Sequence, residues 1–305
     1  MEADDLEPAT PFQDRVSVAH IINPVVVPPT SDLFVAQPIT FETLRMAREF
    51  ARQRVDVTLF TAQYSRDLPG IPDYMTKTRN LETSILDIHP GRGTRALPLL
   101  KDILDRLFEA SDAEYLIYTN VDIAVAEHFY VAVAHFVREG YDAFSITRRT
   151  VKDHYKTIAD IPLMHADRGK RHPGWDCFVF RRSVYPKYDL DDVFVGVPGI
   201  GRALLCNLIR FAGRFGSFRN EFITFHIGND GYWKKPEARL DGAEVGNRRA
   251  ASNVVQRLYK TAPSAEVRDS LRPYLYRLRE EAAPWRRLKL VKRIAWRWER
   301  LRGRR

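Results

Sequence analysis

An amide and a carboxylate, Asn120 and Asp122, lie near the end of an apolar stretch that runs from Glu114 to Val125. Such a stretch is typical of a buried parallel strand, and residues two positions apart on a strand point to the same side. Oxygen ligands of this kind suit a hard divalent cation, and such a cation suits a diphosphate. The pattern therefore predicts a cation site at the end of a buried strand. The alternative is that Asp122 caps a following helix.

The elements that must position this pair alternate along the chain. Apolar segments rich in β-branched residues predict strands, and segments with apolar residues at 3–4 spacing predict helices. The predicted strands cover residues 16–22, 55–63, 84–90, 114–123, 141–149, 176–182 and 221–230; the predicted helices cover 40–54, 97–110, 127–139 and 195–211. This alternation predicts an α/β fold with a mostly parallel sheet, whose ligand crevice lies outside the carboxyl ends of the strands.

Composition is that of a globular chain with a substantial core, 45% hydrophobic and 29% charged over 305 residues. The two cysteines, Cys177 and Cys206, lie in apolar segments and are predicted to be buried and reduced. We divide the chain into a disordered N-terminus, residues 1–15, a globular domain, residues 16–235, and a helical basic extension, residues 236–305.

The net charge of +9 belongs to one segment, because residues 286–305 contain ten Lys or Arg against one acid, Glu299. From Trp285, apolar residues recur every three to four positions among these basic residues, which is typical of an interfacial membrane helix. The segment 285–305 is therefore expected to bind an anionic membrane surface. A helix packed on the domain is the first alternative. Nucleic acid is not an expected partner, because no recognition fold accompanies the basic residues.

No transmembrane helix is predicted, because no apolar run approaches 18 residues. The N-terminal sequence MEADDLEPATPFQD is acidic and lacks the apolar stretch of a secretory signal. The expected location is therefore cytoplasmic, with peripheral attachment to the inner face of the membrane as an extension of that prediction.

Three segments give the chain a resemblance to the GT-A glycosyltransferases, the nucleotide-diphospho-sugar transferase family. The resemblance covers about residues 16–235. YTNVDI, residues 118–123, sits where that family has its Asp-x-Asp metal motif. HPGWDCFVFRR, residues 172–182, resembles the strand beside the acceptor site, and FHIGNDGYWKKP, residues 225–236, resembles the late His-x-Gly segment. The implied fold is a Rossmann-like, mostly parallel sheet flanked by helices, here with a C-terminal helical extension.

The resemblance implies a glycosyltransferase that moves a sugar from a nucleotide-sugar donor to a hydroxyl of a polysaccharide or lipid-linked acceptor. It implies Mn²⁺ or Mg²⁺ as cofactor. The implied roles are metal binding for Asp122 and His226; donor binding for Asn23, Arg79, Asn120 and Lys234; acceptor binding for Trp175 and Arg148; and a catalytic base at Asp176.

The chain departs from the family pattern at two places. Asn120 replaces the first Asp of the metal motif, which weakens the expectation of a metal. The segment VGVPGIGR, residues 195–202, has no carboxylate where many inverting members carry a Glu-Asp pair, so Asp176 is the nearest substitute. Inversion and retention of the anomeric centre both stay open.

Two other functions remain as alternatives. A non-catalytic sugar-nucleotide-binding or scaffold module at a membrane surface fits the two departures. A nucleotidyltransferase shares the alternating layout, but such enzymes carry a Gly-rich basic loop after the first strand. The corresponding residues here, NPVVVPPTSD at 23–32, contain no Gly, Lys or Arg, which disfavours that reading.

Overall fold

The structure is a computed structural model that describes residues 15–90, 95–228 and 243–281, with side chains as far as Leu275 in the last segment. Its strands are β1 Val16–Ile22, β2 Val55–Thr61, β3 Thr76–Lys77, β4 Tyr115–Thr119, β5 Ala124–Val125, β6 Ala143–Ile146, β7 Arg149–Val151, β8 Lys170–Arg171, β9 Cys177–Arg181, β10 Phe215–Phe218 and β11 Thr224–Ile227. Its α-helices are α1 Leu33–Ala51, α2 Ile85–Ile88, α3 Leu100–Ala110, α4 Phe129–Arg138, α5 Ile161–Ala166, α6 Ile200–Phe211, α7 Ala243–Lys260 and α8 Ala265–Glu281. Short 3-10 helices span Ser65–Gly70, Ile158–Asp160 and Arg182–Lys187.

Within these residues a seven-stranded sheet has the order β10-β6-β9-β4-β1-β2-β3. Neighbouring strands are parallel except β9, which runs antiparallel between β4 and β6. The start of β9 therefore lies at the carboxyl ends of the parallel strands. A four-stranded sheet, β5-β11-β7-β8, stands beside that edge. The predicted α/β class with a mostly parallel sheet is confirmed.

Helices cover both faces of the large sheet, because its central strands are apolar on both sides. On one face α1 and α4 bury Leu44, Ala47 and Val133 against the strands. On the other face α3 and α6 bury Leu104 and Leu205. This arrangement leaves the carboxyl edge of the sheet as the place where polar side chains meet.

The helices α7 and α8 belong to the same core as α6. Val254 and Leu258 from α7 and Leu271 from α8 are buried in one cluster with Leu204 and Leu208 of α6. Within residues 243–281 the C-terminal extension is therefore helical, and its described side chains pack on the sheet domain. Within the described ranges, no helix combines the length and apolarity that crossing a membrane requires.

The strand predicted at residues 84–90 is wrong, because Ile85–Ile88 is a short helix. The helix is favoured locally by a capping box, in which the Ser84 side chain accepts the Asp87 N–H and Asp87 Oδ2 accepts the Ser84 N–H at 2.7 Å. Asp87 Oδ2 also accepts the Ser84 Oγ–H at 2.7 Å. On the side away from β1, strand β2 pairs with β3, Thr76–Lys77, which lies inside a segment with no apolar pattern.

Three further boundaries differ from the prediction. Helix α1 begins at Leu33 rather than Thr40 and includes Pro38, because its apolar face extends back through Ala36 and Ile39. The predicted strand 141–149 is two strands, β6 and β7, in different sheets. Within the described part of the predicted strand 221–230, Thr224–Ile227 forms β11, which belongs to the small sheet.

Candidate active site

The small sheet brings Asp122 and His226 together. Strand β5 pairs antiparallel with β11, with Ala124 opposite Phe225, so the residues just outside this pair also meet. His226 Nε2 lies 3.3 Å from Asp122 Oδ2. The His226 side chain is 8% exposed and that of Asp122 is 23% exposed. Two residues 104 positions apart in the sequence are thus in direct contact at the carboxyl edge.

The His226 ring is oriented by its other nitrogen. Nδ1 lies 3.0 Å from the carbonyl oxygen of Gly228. A carbonyl oxygen only accepts, so Nδ1 carries the proton and donates. In the neutral ring Nε2 then presents a lone pair to the Asp122 carboxylate, and two acceptors face each other. The repulsion between these two acceptors is removed by a proton on Nε2 or by a cation that both groups bind. A hydrogen bond from the other ring nitrogen to a carbonyl oxygen is the usual way in which a metal-binding histidine is oriented.

Asp122 is suited to a charged role. Burial raises the pKa of its carboxyl, but the contacts with His226 and the positive charge of Arg148 lower it more, and the net pKa is below the ordinary value. Its Oδ1 atom is buried and has no hydrogen-bond partner among the described residues. A buried carboxylate oxygen without a donor beside an imidazole nitrogen is a donor set that fits a divalent cation.

Asn120 and Asp122 are not related by strand alternation, contrary to the prediction. Strand β4 ends at Thr119, and a turn follows in which the Ile123 N–H donates to the Asn120 carbonyl at 3.1 Å. Asn120 Oδ1 accepts from the Tyr118 hydroxyl at 2.9 Å, which leaves one lone pair on that oxygen. Asp122 does not cap α4, since that helix begins at Phe129.

Arg148 and Asp176 form a second charged pair beside the first. Arg148 Nε lies 3.3 Å from Asp176 Oδ2, and the side chains are 4% and 12% exposed. The His172 Nδ1 atom lies 3.3 Å from the same oxygen and also accepts the Gly174 N–H at 3.0 Å. Arg148 therefore neutralises Asp176 and, through space, Asp122.

Two side chains of the cluster were absent from the residues selected by sequence, Tyr118 and His172. Burial, with the negative charges of Asp122 and Asp176, raises the pKa of the Tyr118 phenol, which stays protonated and donates. The only sequence signal for either residue is its position: Tyr118 lies two residues before Asn120, and His172 lies four residues before Asp176. Neither spacing is specific enough to select a residue alone.

Two of the donor residues selected by sequence, Asn23 and Arg79, lie apart from this cluster. Asn23 is buried after β1, where its amide donates to the Ala62 carbonyl at 2.7 Å and joins the ends of β1 and β2. Arg79 is exposed and faces Glu82 and Glu109 at 3.7 and 3.8 Å. The described residues bring neither side chain to Asp122. Lys234 and the segment 285–305 lie outside the described residues.

Trp175 precedes Asp176 in the chain and packs partly against the core. Its ring meets that of Tyr274 on α8, with centroids 5.6 Å apart and planes at 65°. Its carbonyl explains the glycine at position 201, because a Cβ on Gly201 would approach that oxygen to 2.9 Å. Close packing of α6 against the Trp175 backbone accounts for this glycine.

Across the described ranges, no three His, Cys, Asp or Glu side chains gather into a set that could hold a metal. The candidate set is therefore Asp122 and His226, with Asn120 in the same turn as Asp122. Both cysteines are buried and free.

A mostly parallel sheet with one antiparallel strand, a small second sheet at its carboxyl edge and flanking helices define a GT-A-like glycosyltransferase fold. Residues 1–349 of TarS from S. aureus in complex with UDP-GlcNAc match it with a TM-score of 0.51 at 9% identity, over 86% of this chain and 72% of that one. The UDP complex of the same protein gives a TM-score of 0.46 at 9% identity, over 85% and 70% of the two chains. Of these two matches, the one to the UDP-GlcNAc complex shows the shared fold. No protein-family model and no curated protein matches the sequence.

Proposed function

We propose that this protein is a metal-assisted glycosyltransferase that uses a nucleotide-sugar donor. The contact between Asp122 and His226 at the carboxyl edge of a GT-A-like sheet is the observation that carries the proposal. The TarS structure with this fold holds UDP-GlcNAc, which supports a nucleotide sugar as the donor class here.

The residues divide between donor and acceptor. Asp122 and His226 would hold Mn²⁺ or Mg²⁺, with Asn120 assisting, and the bound ion would stabilise negative charge on the leaving diphosphate. Lys234, by its position in sequence, would meet the same diphosphate. In transfer the bond from the anomeric carbon to the diphosphate oxygen breaks, and the acceptor oxygen bonds to that carbon. Asp176 would take the proton of the acceptor hydroxyl, and Arg148 would orient Asp176.

The proposal is tested by thermal unfolding with a panel of nucleoside diphosphates and nucleotide sugars, with Mn²⁺, with Mg²⁺ and with chelator. A ligand at about 100 times its dissociation constant should stabilise the native state by about 2.7 kcal/mol. We expect one nucleotide family to raise the midpoint, and chelator to remove that rise. Asp122→Asn should remove it too, whereas Asp73→Asn, at a fully exposed side chain, should leave it intact.

Release of the sugar from the donor that stabilises the protein then distinguishes an enzyme from a binding module. Loss of at least about 100-fold in release with Asp122→Asn supports catalysis, since one electrostatic contact to the reacting group is commonly worth that much. A non-catalytic module is the second candidate, favoured by the engagement of Asp176 with Arg148. Metal-dependent binding of the donor without release of its sugar, with every acceptor tried, would establish the non-catalytic module.

Attachment to an anionic membrane through residues 285–305 is proposed from the sequence. Cosedimentation with vesicles containing phosphatidylserine should be lost when residues 286–305 are deleted and should weaken with salt. Equal binding by both proteins would refute it.

A further inference from the structure

A pocket of about 300 Å³ lies between the sheet and the C-terminal extension. Three elements line it: Trp175 before β9, Ser217 and Arg219 at the end of β10, and Pro273 and Tyr274 on α8. Its volume is at the lower end of the range for small-molecule sites, which suits one ring rather than an extended ligand.

The lining combines two kinds of surface. Two aromatic rings and a proline ring give apolar faces, and a hydroxyl and a guanidinium give hydrogen-bonding groups. Arg219 is exposed, and no described residue forms an ion pair with it. A pyranose has the complementary surface, with C–H groups on its faces and hydroxyls around its rim. A purely aliphatic ligand would leave the guanidinium without a partner.

The pocket lies at the same edge of the sheet as the charged cluster. Arg219 follows the end of β10, and Trp175 precedes the start of the antiparallel strand β9. Trp175 and Asp176 are consecutive, so their Cα atoms are about 3.8 Å apart. The ring of Trp175 borders the pocket while the Asp176 carboxylate contacts Arg148. If a sugar in the pocket is one unit of an oligosaccharide, the neighbouring sugar unit can therefore reach Asp176.

The extension holds its side of the pocket in place. Leu271, one turn before Tyr274, is fully buried in the core cluster that contains the apolar face of α6. Gly201 on α6 permits close approach of the Trp175 backbone. Both walls of the pocket thus rest on α6.

We infer that this pocket is a carbohydrate subsite that holds a pyranose ring of the acceptor, with Tyr274 supplied by the C-terminal extension. The inference rests on the proposed function and deepens it, because it makes the acceptor a glycan and the extension part of its binding site.

The test measures binding of methyl β-glucopyranoside, methyl β-N-acetylglucosaminide, cellotriose and chitotriose by saturation-transfer NMR, with sorbitol as the acyclic control. The wild type should bind at least one ring sugar, with millimolar affinity as expected for so small a contact. Tyr274→Ala should weaken binding by about tenfold or more, which corresponds to about 1.4 kcal/mol. Tyr274→Phe should retain it, and Tyr259→Ala, at a partly buried tyrosine of α7 outside the pocket, should have no effect.

Stabilisation by the donor nucleotide is measured in the same variants. Unchanged saccharide binding in Tyr274→Ala, equal binding of sorbitol, or no saccharide bound by the wild type would overturn the subsite. Absence of any nucleotide or metal effect in the wild type would instead overturn the proposed function. Saccharide binding that is lost in Tyr274→Ala while nucleotide stabilisation stays intact is the expected result.

Discussion

At the scale of single residues, the site depends on charges that are buried in compensating pairs. Arg148 lies between two carboxylates and contacts one of them, Asp176, at 3.3 Å. Removing one partner of a buried pair leaves the other charge without compensation, which costs more than the pair itself contributes. The stability of the site is therefore a property of the cluster.

Arg148→Met should lower the free energy of unfolding by about 3 kcal/mol, because Asp176 loses the guanidinium in contact with it and Asp122 loses a positive charge that stabilises its ionised form. Combining it with Asp176→Asn should recover part of that loss. Urea denaturation of the wild type, both single variants and the double variant measures the coupling. If the loss in unfolding free energy of the double variant equals the sum of the two single losses, the two side chains act independently.

His20 is a buried histidine whose protonation affects the stability of the native state. Its Nδ1 lies 2.8 Å from the Tyr130 hydroxyl and its Nε2 lies 2.9 Å from Thr119 Oγ1. Desolvation lowers the pKa of its ring from 6.5 to about 3. The unfolded state therefore binds a proton that the native state resists, and the native state loses stability as the pH falls from 6.5 towards 3.

We expect this difference to cost the native state about 2 kcal/mol between pH 7 and pH 5. His20→Gln keeps a donor and an acceptor but does not titrate, so its urea midpoint should fall less over that interval. If the two midpoints fall in parallel, His20 is not the group responsible.

Sequence identified four members of the cluster, Asp122, His226, Asp176 and Arg148, but only family resemblance joined them. The contact depends on pairing of β5 with β11, and β5 is Ala124–Val125 alone. Two apolar residues give no periodic signal, so no local pattern could reveal the pairing. Strand alternation does not relate Asp122 to Asn120, because β4 ends at Thr119 and the chain turns before Asp122.

At the scale of elements, the segment before α6 is held by one buried side chain from α7. Asn247 accepts the Phe194 N–H and donates to the Phe194 carbonyl, both at 2.9 Å. Its amide also lies within 3.4 Å of the Val197 carbonyl and 3.3 Å of the Pro198 carbonyl. This side chain replaces the backbone partners that an irregular buried segment lacks.

Asn247→Ala should therefore destabilise the protein by about 2 kcal/mol, the cost of stranding these backbone groups. Asn253→Ala, at an exposed position of the same helix, should change stability by less than about 0.5 kcal/mol. Chemical denaturation compares the two. Equal effects would show that helix propensity, rather than the buried amide, accounts for the loss.

The buried central strands were predictable because burial on both faces demands continuous apolar residues, as in VSVAHII of β1 and CFVFR of β9. The segment SILDIHP has a similar composition but forms a helix, because Ser84 and Asp87 stabilise a helical turn. The helical contribution of Ala243–Lys260 to the core was not evident from sequence, since its buried residues include small and polar types such as Ala251 and Ser252.

At the scale of the whole molecule, the extension and the sheet domain share a core. Leu271 is fully buried among residues of α6 and α7, far along the chain from the strands. A shared core predicts that both regions unfold together.

Leu271→Ala should lower the free energy of unfolding by about 3 kcal/mol, through lost burial and the cavity left behind. Far-ultraviolet circular dichroism and tryptophan fluorescence should report the same shifted midpoint. Val245→Ala, at a side chain 72% exposed, is the control and should change little. Two separate transitions in the Leu271 variant would establish an independently folding extension.

The order of strands has a consequence for kinetics. Strand β1 pairs with β4, whose residues follow about a hundred positions later, and the carboxylate and imidazole of the candidate cation pair are separated just as widely. Such distant pairings form late in folding, because the entropy of closing a long loop is lost before the stabilising contacts are made. Under the proposed function, a nucleotide and its cation would find their site only after the rate-limiting barrier. They should slow unfolding and leave the rate of folding unchanged, so the ligand would prolong the lifetime of the native protein without helping it to form.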